Sequence, residues 1–309
     1  MRCGFLWAGL WLVPNGSLHS ASIVLPPVAD TSLSEFSPNN NSGGNPFVIA
    51  GTSGMNSGGT KNRGLYRFDL SLVPPGSKIK SAALKLEVTS TPSNGGEMST
   101  FTLHRMEKNW GEGIQNSSAT PSPGLGLPAM TNEATWNSPF AFTTNLWTGP
   151  GASNDFVATI SSSAAVFGLS DFPEFVSTPE MVSDVQLWLD NASLNFGWLL
   201  KTMDEDLFFS ARRFGSREFA AGDPNSPPYL AIEFIPPPNL AAVGTTGGQF
   251  HFSFFAEAGQ GYTVQFKTNL MMTDSWSVLT NVAAPVAATN VMVSDSIAGE
   301  ARFYRVVAP

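Results

Sequence analysis

The feature that most constrains this chain is a strict two-residue alternation that is stopped and then restarted. In Gly64-Leu65-Tyr66-Arg67-Phe68-Asp69-Leu70, an extended backbone puts Tyr66, Phe68 and Leu70 on one face and Arg67 and Asp69 on the other. Pro74-Pro75-Gly76 ends the run, because proline has no N–H for a strand ladder and glycine accepts turn geometry. Ala82, Leu84, Leu86 and Val88 then resume the period. A period of two suits a strand and not a helix, so the segment predicts a half-buried hairpin. Composition carries this reading to the whole chain. Only 13% of the 309 residues are charged, while Gly, Pro, Ser, Thr and Asn abound. That mixture favours a turn-rich all-β protein and is too apolar for a disordered one. The length suits one large domain and one small one.

Arg2, the mostly apolar Phe5 to Val13 and the small residues Ser20-Ala21-Ser22 read as a secretory signal over residues 1–22, cut after Ser22. A buried first strand is the competing reading, although Pro14-Asn15-Gly16 follows the run directly. The apolar run is too short for a permanent membrane anchor. Cys3, the only cysteine, would leave with the signal, and no thiol would remain for a disulfide, a zinc site or a nucleophile. The formal charge of −8 disfavours nucleic acid and anionic membrane as partners. The expectation is a secreted chain without membrane insertion. The sequence carries no signal for oligomeric state.

Further segments recur along the chain in a fixed order. They are Ala29-Asp30-Thr31, the Gly64 to Leu70 run, Ser81-Ala82-Ala83-Leu84-Lys85-Leu86, Asn109-Trp110-Gly111-Glu112-Gly113 and Ala134-Thr135-Trp136-Asn137. Val185 to Asp190, Asn195 to Lys201, Ser216-Arg217-Glu218 and Pro228 to Phe234 complete the set. Together they resemble the DNRLRE domain, grouped with carbohydrate-binding module family 96 and related to the repeats of disaggregatase enzymes. The resemblance implies a jelly-roll-like β-sandwich at residues 28–235 that is secreted, non-catalytic and holds extracellular polysaccharide, with acidic glycans such as alginate among the family's ligands. An acidic glycan meets the chain's negative charge, so it would need a local basic patch.

Residues 39–59 are rich in Asn, Ser and Gly and are expected to be largely loop, as are residues 116–132 with Pro121, Pro123 and Pro128. One helix is predicted: Thr178 suits its cap, Pro179 its first position, and Met181, Val185 and Trp188 its spacing. It is expected to cover an open end of the sandwich. Pro236-Pro237-Pro238-Asn239 marks a linker at residues 236–239. Beyond it, Phe250-Phe252-Phe254, Tyr262-Val264-Phe266 and Tyr304-Val306 alternate, with Trp276 and Leu279 as further core. Residues 240–309 are thus expected to form a small immunoglobulin/fibronectin-like β-sandwich. They also resemble, more loosely, the C-terminal modules of many bacterial secreted proteins.

Few residues invite catalysis. After the signal only His104 and His251 remain, each in an alternating strand and with no nucleophile beside it in sequence. No Gly-x-Ser-x-Gly elbow, His-Glu-x-x-His motif or phosphate loop occurs. Asp204-Glu205-Asp206 is the one acidic cluster; a solvated turn and calcium binding are both open to it, and paired-carboxylate cleavage is the remaining route to glycan hydrolysis. A uronate polymer would call for arginine or lysine beside an aromatic platform. The candidate ligand residues are Lys61, Arg63 and Arg67 in one group and Arg212, Arg213 and Arg217 in another, although charged pairs in such segments also hold strands together. Trp147 is the candidate exposed platform, whereas Trp110, Trp136, Trp188 and Trp198 are expected in the core. By analogy at the level of the fold, Asp30 and Glu233 are candidates for a structural calcium where the first and last strands meet. No other cofactor is expected. A polysaccharide-binding protein is the leading reading, and a structural or adhesive surface protein is its alternative.

Overall fold

A computed structural model describes residues 20–93, 98–219, 227–270, 275–296 and 301–308. The signal reading falls almost wholly outside the described residues; Ala21 already opens a strand, so a cut after Ser22 would remove that strand's first two residues. The chain is an all-β sandwich protein in two compact units, one over Ser22–Phe234 and one holding Ile235 onward. Among the described residues no helix is long and apolar enough to cross a membrane.

The larger unit opens with β1 (Ala21–Leu25), β2 (Pro27–Ser34), β3 (Asn40–Asn41), β4 (Phe47–Thr52), β5 (Lys61–Phe68), β6 (Lys78–Lys85) and β7 (Val88–Ser90). It continues with β8 (Ser99–Arg105), β9 (Leu127–Pro128), β10 (Ser162–Val166), β11 (Glu174–Phe175), helix α1 (Pro179–Asp190), β12 (Trp198–Thr202), β13 (Arg212–Gly215) and β14 (Tyr229–Ile235). One sheet has the order β1-β14-β6-β11; the other runs β10-β8-β12-β5-β4-β13-β7, with β2 added against β5. The alternation that opened the sequence is realised, since Tyr66, Phe68 and Leu70 are buried and Ala82, Leu84, Leu86 and Val88 repeat the pattern, but the expected hairpin is not: β5 and β6 lie in different sheets and do not pair. Phe101 meets Phe214 edge to face at 5.2 Å, and Trp188 of α1 meets Trp198 at 4.5 Å.

Helix α1 forms as its caps predict. The Thr178 hydroxyl accepts the Met181 N–H, Pro179 occupies the first turn, and Met181, Val185 and Trp188 are buried. It lies against β6, where the Gln186 side-chain oxygen accepts the Ile79 N–H.

Residues 39–59 are mostly loop and turn, as expected, but Phe47-Val48-Ile49-Ala50 is an apolar run long enough to form β4 between β5 and β13. The face of β5 that carries Arg67 is not a solvated one. Leu65 and Leu33 are fully buried there, with Ala29 and Leu199, beneath Met106, Trp110, Trp136 and Trp147 from the long insertion between β8 and β10. The large sheet is therefore covered on both faces along β2 and β5. Gly151, at φ +70°, makes room for this cover, since a Cβ there would lie 2.5 Å from the Trp136 ring.

The smaller unit has β15 (Ala241–Thr246), β16 (Gln249–Ala256), β17 (Tyr262–Lys267), β18 (Ser277–Val282), β19 (Thr289–Ser296) and β20 (Phe303–Val307). They form two three-stranded sheets, β15-β16-β19 and β18-β17-β20, around Phe252, Phe254, Tyr262, Val264, Val293 and Val306. Tyr304 stacks on Phe250 and donates its hydroxyl to Asp295, which also takes Arg302. Burial and the Asp295 carboxylate push the Tyr304 pKa to about 12. Leu279 packs against this core, whereas Trp276 is half-buried beneath the Arg305 guanidinium at 4.4 Å.

Candidate functional site

The sequence candidates separate into three environments. The first is structural. Arg63 is buried and forms a fork with Glu205, Nε and Nη2 each 2.8 Å from a carboxylate oxygen, while Nη1 reaches the Gly151 carbonyl. It is not available to a ligand, because every edge of the guanidinium is taken and Trp136 lies 5.4 Å from it. Burial raises the Glu205 pKa, but hydrogen bonds and charge from Arg63, with Lys201 and Lys61, hold it below its ordinary value. Asp204-Glu205-Asp206 is thus not a uniform acidic cluster: Glu205 is a buried ion-pair partner of Arg63 and Lys201, and Asp206 is exposed with Lys61 at 3.7 Å. Trp147 is not an exposed platform. It is 5% exposed, and its indole N–H donates to the Thr135 carbonyl beneath the insertion. His104 is fixed as well, between the Val157 carbonyl and the Thr102 hydroxyl, and burial lowers its pKa. His251 faces Ser294 at 2.8 Å in the smaller unit.

The second environment surrounds Asp30. This buried carboxylate accepts the Arg217 N–H, and its own N–H goes to Glu112. The Arg217 guanidinium bridges Glu112 and Glu218, each at 3.0 Å. Burial, and to a lesser degree the charges of Glu218 and Glu112, pushes the Asp30 pKa well up, against the Arg217 N–H. Glu112 is raised too, again mainly by burial. These carboxylates are answered by one arginine and not arranged around a cation. Glu233 is exposed on β14, in the other sheet. Among the described residues no three His, Cys, Asp or Glu side chains converge as a metal site, and the surroundings of Asp30 do not fit calcium.

The third environment is a groove of about 310 Å³ on the large sheet. Its floor is Ile49 of β4, Arg213 of β13 and Ser90 of β7, adjacent in register. One wall is the loop 53–60, which is held close by two glycines. A Cβ on Gly54 or Gly59 would lie 2.2 or 2.3 Å from the rings of Phe209 and Phe208. The opposite wall is the insertion at Gly124-Leu125, where Gly124 passes within reach of Arg213 and Ile49. Phe36, 51% exposed, stands at the rim. Ser34, Ser53, Thr60 and Asn62 add hydroxyl and amide groups.

Arg213 distinguishes the groove. Its guanidinium lies 4.3 Å from the Phe47 ring, yet among the described residues it makes no hydrogen bond and no ion pair. Burial lowers its pKa. Arg212, the next residue, points to the other side of β13 and is buried with its guanidinium on the carbonyls of Phe167, Phe209, Ser210 and Ala211. Arg67 is not in the groove. It bonds Asn109 and lies over Trp110 at 4.9 Å, beside a separate cleft. Of the seven candidate ligand residues, Arg212 and Arg213 line the groove, and the Arg212 guanidinium is spent on backbone carbonyls; Phe36 was missed because a lone phenylalanine after Ser34-Glu35 has no periodic signal. No protein-family model matches the chain, and no curated protein matches it.

Proposed function

We propose that the larger unit is a non-catalytic binding module of a secreted protein, and that the Arg213 groove takes an extracellular polysaccharide bearing carboxylates. The observation that carries the reading is the Arg213 guanidinium, held in a groove and, among the described residues, without a hydrogen bond or ion pair. A guanidinium offers a planar fork of donors that fits a carboxylate bidentately. Phe36 supplies an apolar surface for the C–H face of a sugar ring, and the serine, threonine and asparagine side chains suit its hydroxyls. Glu205 and His104, the groups closest to acid–base chemistry, are engaged within the fold, which supports binding over cleavage. The segments that resemble the DNRLRE domain point the same way.

Affinity electrophoresis in gels containing alginate or neutral polysaccharides tests the proposal. Retention on the acidic gel is expected, and Arg213→Ala should weaken it about tenfold or more, the worth of a hydrogen bond to a charged group. Unchanged retention in that variant rejects the groove. No retention on any glycan favours a structural or adhesive role, and release of reducing ends or unsaturated products overturns the non-catalytic reading.

A further inference from the structure

The two walls of the Arg213 groove are carried by main chain, and both are pinned. The loop 53–60 is rooted in the segment just before β13: the Phe209 N–H donates to the Ser53 carbonyl, the Ala211 N–H to the Thr52 carbonyl, and the Thr52 N–H to the Ser210 hydroxyl. That segment is fixed in turn by the buried Arg212 guanidinium, which takes the carbonyls of Phe209, Ser210 and Ala211. Within it Phe209 sits at φ +60°, a strained backbone for a bulky residue. The turn lays the Phe208 and Phe209 rings on Gly59 and Gly54, behind the loop and outside the groove. On the opposite side, a Cβ on Gly124 would lie 3.3 Å from both Arg213 Nη2 and Ile49 Cδ1, so the insertion passes close to the floor.

From these pinned walls we infer, on the reading of the groove as the glycan site, that Phe208 and Phe209 set its width, and that the class it admits is a uronate polymer with bare ring hydroxyls in preference to an O-acylated one. Arg213 supplies the fork for the carboxylate. An acyl ester on a ring hydroxyl adds volume and leaves the carboxylate as it was, so Arg213 does not tell the two polymers apart and the walls decide. A wall of side chains could swing to another rotamer. A loop of main chain seated on two rings yields only if the Phe208-Phe209 turn moves. The hydroxyls at the root of the wall close it further: Ser53 and Thr60 face each other at 3.0 Å, and their protons go to one another and to the Ser57 carbonyl. Space is short as well, since about 310 Å³ stands at the lower end of ordinary ligand pockets, about 300–1,000 Å³.

The test is affinity electrophoresis of the full chain in gels of alginate and of the same alginate after chemical O-acetylation. The acetylated polymer should retain the parent protein about tenfold more weakly, the lower end of the cost of forcing extra volume into a packed space. Phe209→Gly suits the left-handed backbone at that position and removes the ring behind Gly54, and it should lose most of this preference. Gly54→Ala, at φ −75° and so free of backbone strain, drives the loop off the same ring towards the groove and should weaken alginate retention. Adding Phe209→Gly, which makes room for the methyl, should restore it. The ratio of the two retentions separates this role from a structural one, because a variant that is merely less stable loses both alike. Equal or reversed retention of the parent protein overturns selection by width and leaves the groove standing. A ratio unchanged in Phe209→Gly, or alginate retention that Gly54→Ala leaves intact or the double variant fails to restore, overturns the role of the rings. No retention of the parent protein by either polymer rejects the Arg213 groove, and selection by its walls with it.

Discussion

Arg212 and Arg213 are neighbours in one strand, and they live in different chemistries. Arg212, opposite Ala50, has its guanidinium buried against backbone carbonyls. Arg213, opposite Ile49, enters the groove with the Phe47 ring beside it. The period of two decides which residue goes where, but not which side is the interior. The contrast teaches that a basic pair in a strand is one structural group and one available group. Treating the pair as a single patch assigns the wrong residue half of the time.

Removing Arg212 should have the largest effect. Arg212→Ala leaves at least four carbonyl contacts unanswered in a closed space, and a loss of about 3–5 kcal/mol in unfolding free energy is expected from urea denaturation. Arg63→Ala, which strands Glu205 and the Gly151 carbonyl, should cost a similar amount. Either variant behaving like the parent protein would break the distinction between structural and available arginines.

Arg213→Ala should cost less than about 1 kcal/mol of stability, since a single cation–ring contact is lost, and should act on glycan retention instead. The comparison is sharpest with the two variants side by side. Arg212→Ala lowers stability, and Arg213→Ala lowers retention at nearly full stability. A swapped result would place the functional face on the other side of β13.

Most of the scaffold is visible in local pattern. Tyr66, Phe68 and Leu70 declare their burial by spacing, and Thr178-Pro179 declares the helix start. What local pattern misses is the second cover. Leu65, Arg63 and Arg67 read as the outward half of an alternation, and nothing near them in sequence says that Trp110, Trp136 and Trp147 return to lie over that half. Trp147 misleads for the same reason: a tryptophan among Asn, Thr and Gly looks exposed until the sheet beneath it is known. The groove was half legible. Arg213 could be named as a basic residue, but its neighbours Phe36, Ile49 and Ser90 come from three other segments.

Asp30 extends the comparison to acids. Its pKa is raised above the ordinary 3.8, chiefly by burial, so the folded state holds that proton more tightly than the unfolded chain. The stability this contributes is fully present at acid pH and is lost as pH rises through the elevated value. Asp30→Asn keeps an acceptor for the Arg217 N–H but cannot ionise. The variant should therefore gain on the parent protein as pH rises from 4 towards 8, in thermal melts followed by circular dichroism. A constant difference across that range would mean that Asp30 ionises freely, and that Arg217 already compensates its charge.

The smallest effect belongs to His104, which shows the same logic with the opposite sign. Burial lowers its pKa below 6.5, opposed by the Val157 hydrogen bond and reinforced by the charge of Lys201. Because a carbonyl cannot donate, the neutral ring carries its proton on Nδ1 and presents Nε2 to the Thr102 hydroxyl. Between its lowered value and 6.5 the unfolded chain binds more protons than the folded one, so stability is present above 6.5 and declines as pH falls through that range. His104→Gln, which retains a donor and an acceptor and cannot titrate, should flatten this limb of the stability profile while leaving alginate retention unchanged. An altered retention would tie His104 to the ligand after all, and would join the covered face of the sheet to the groove that Arg213 serves.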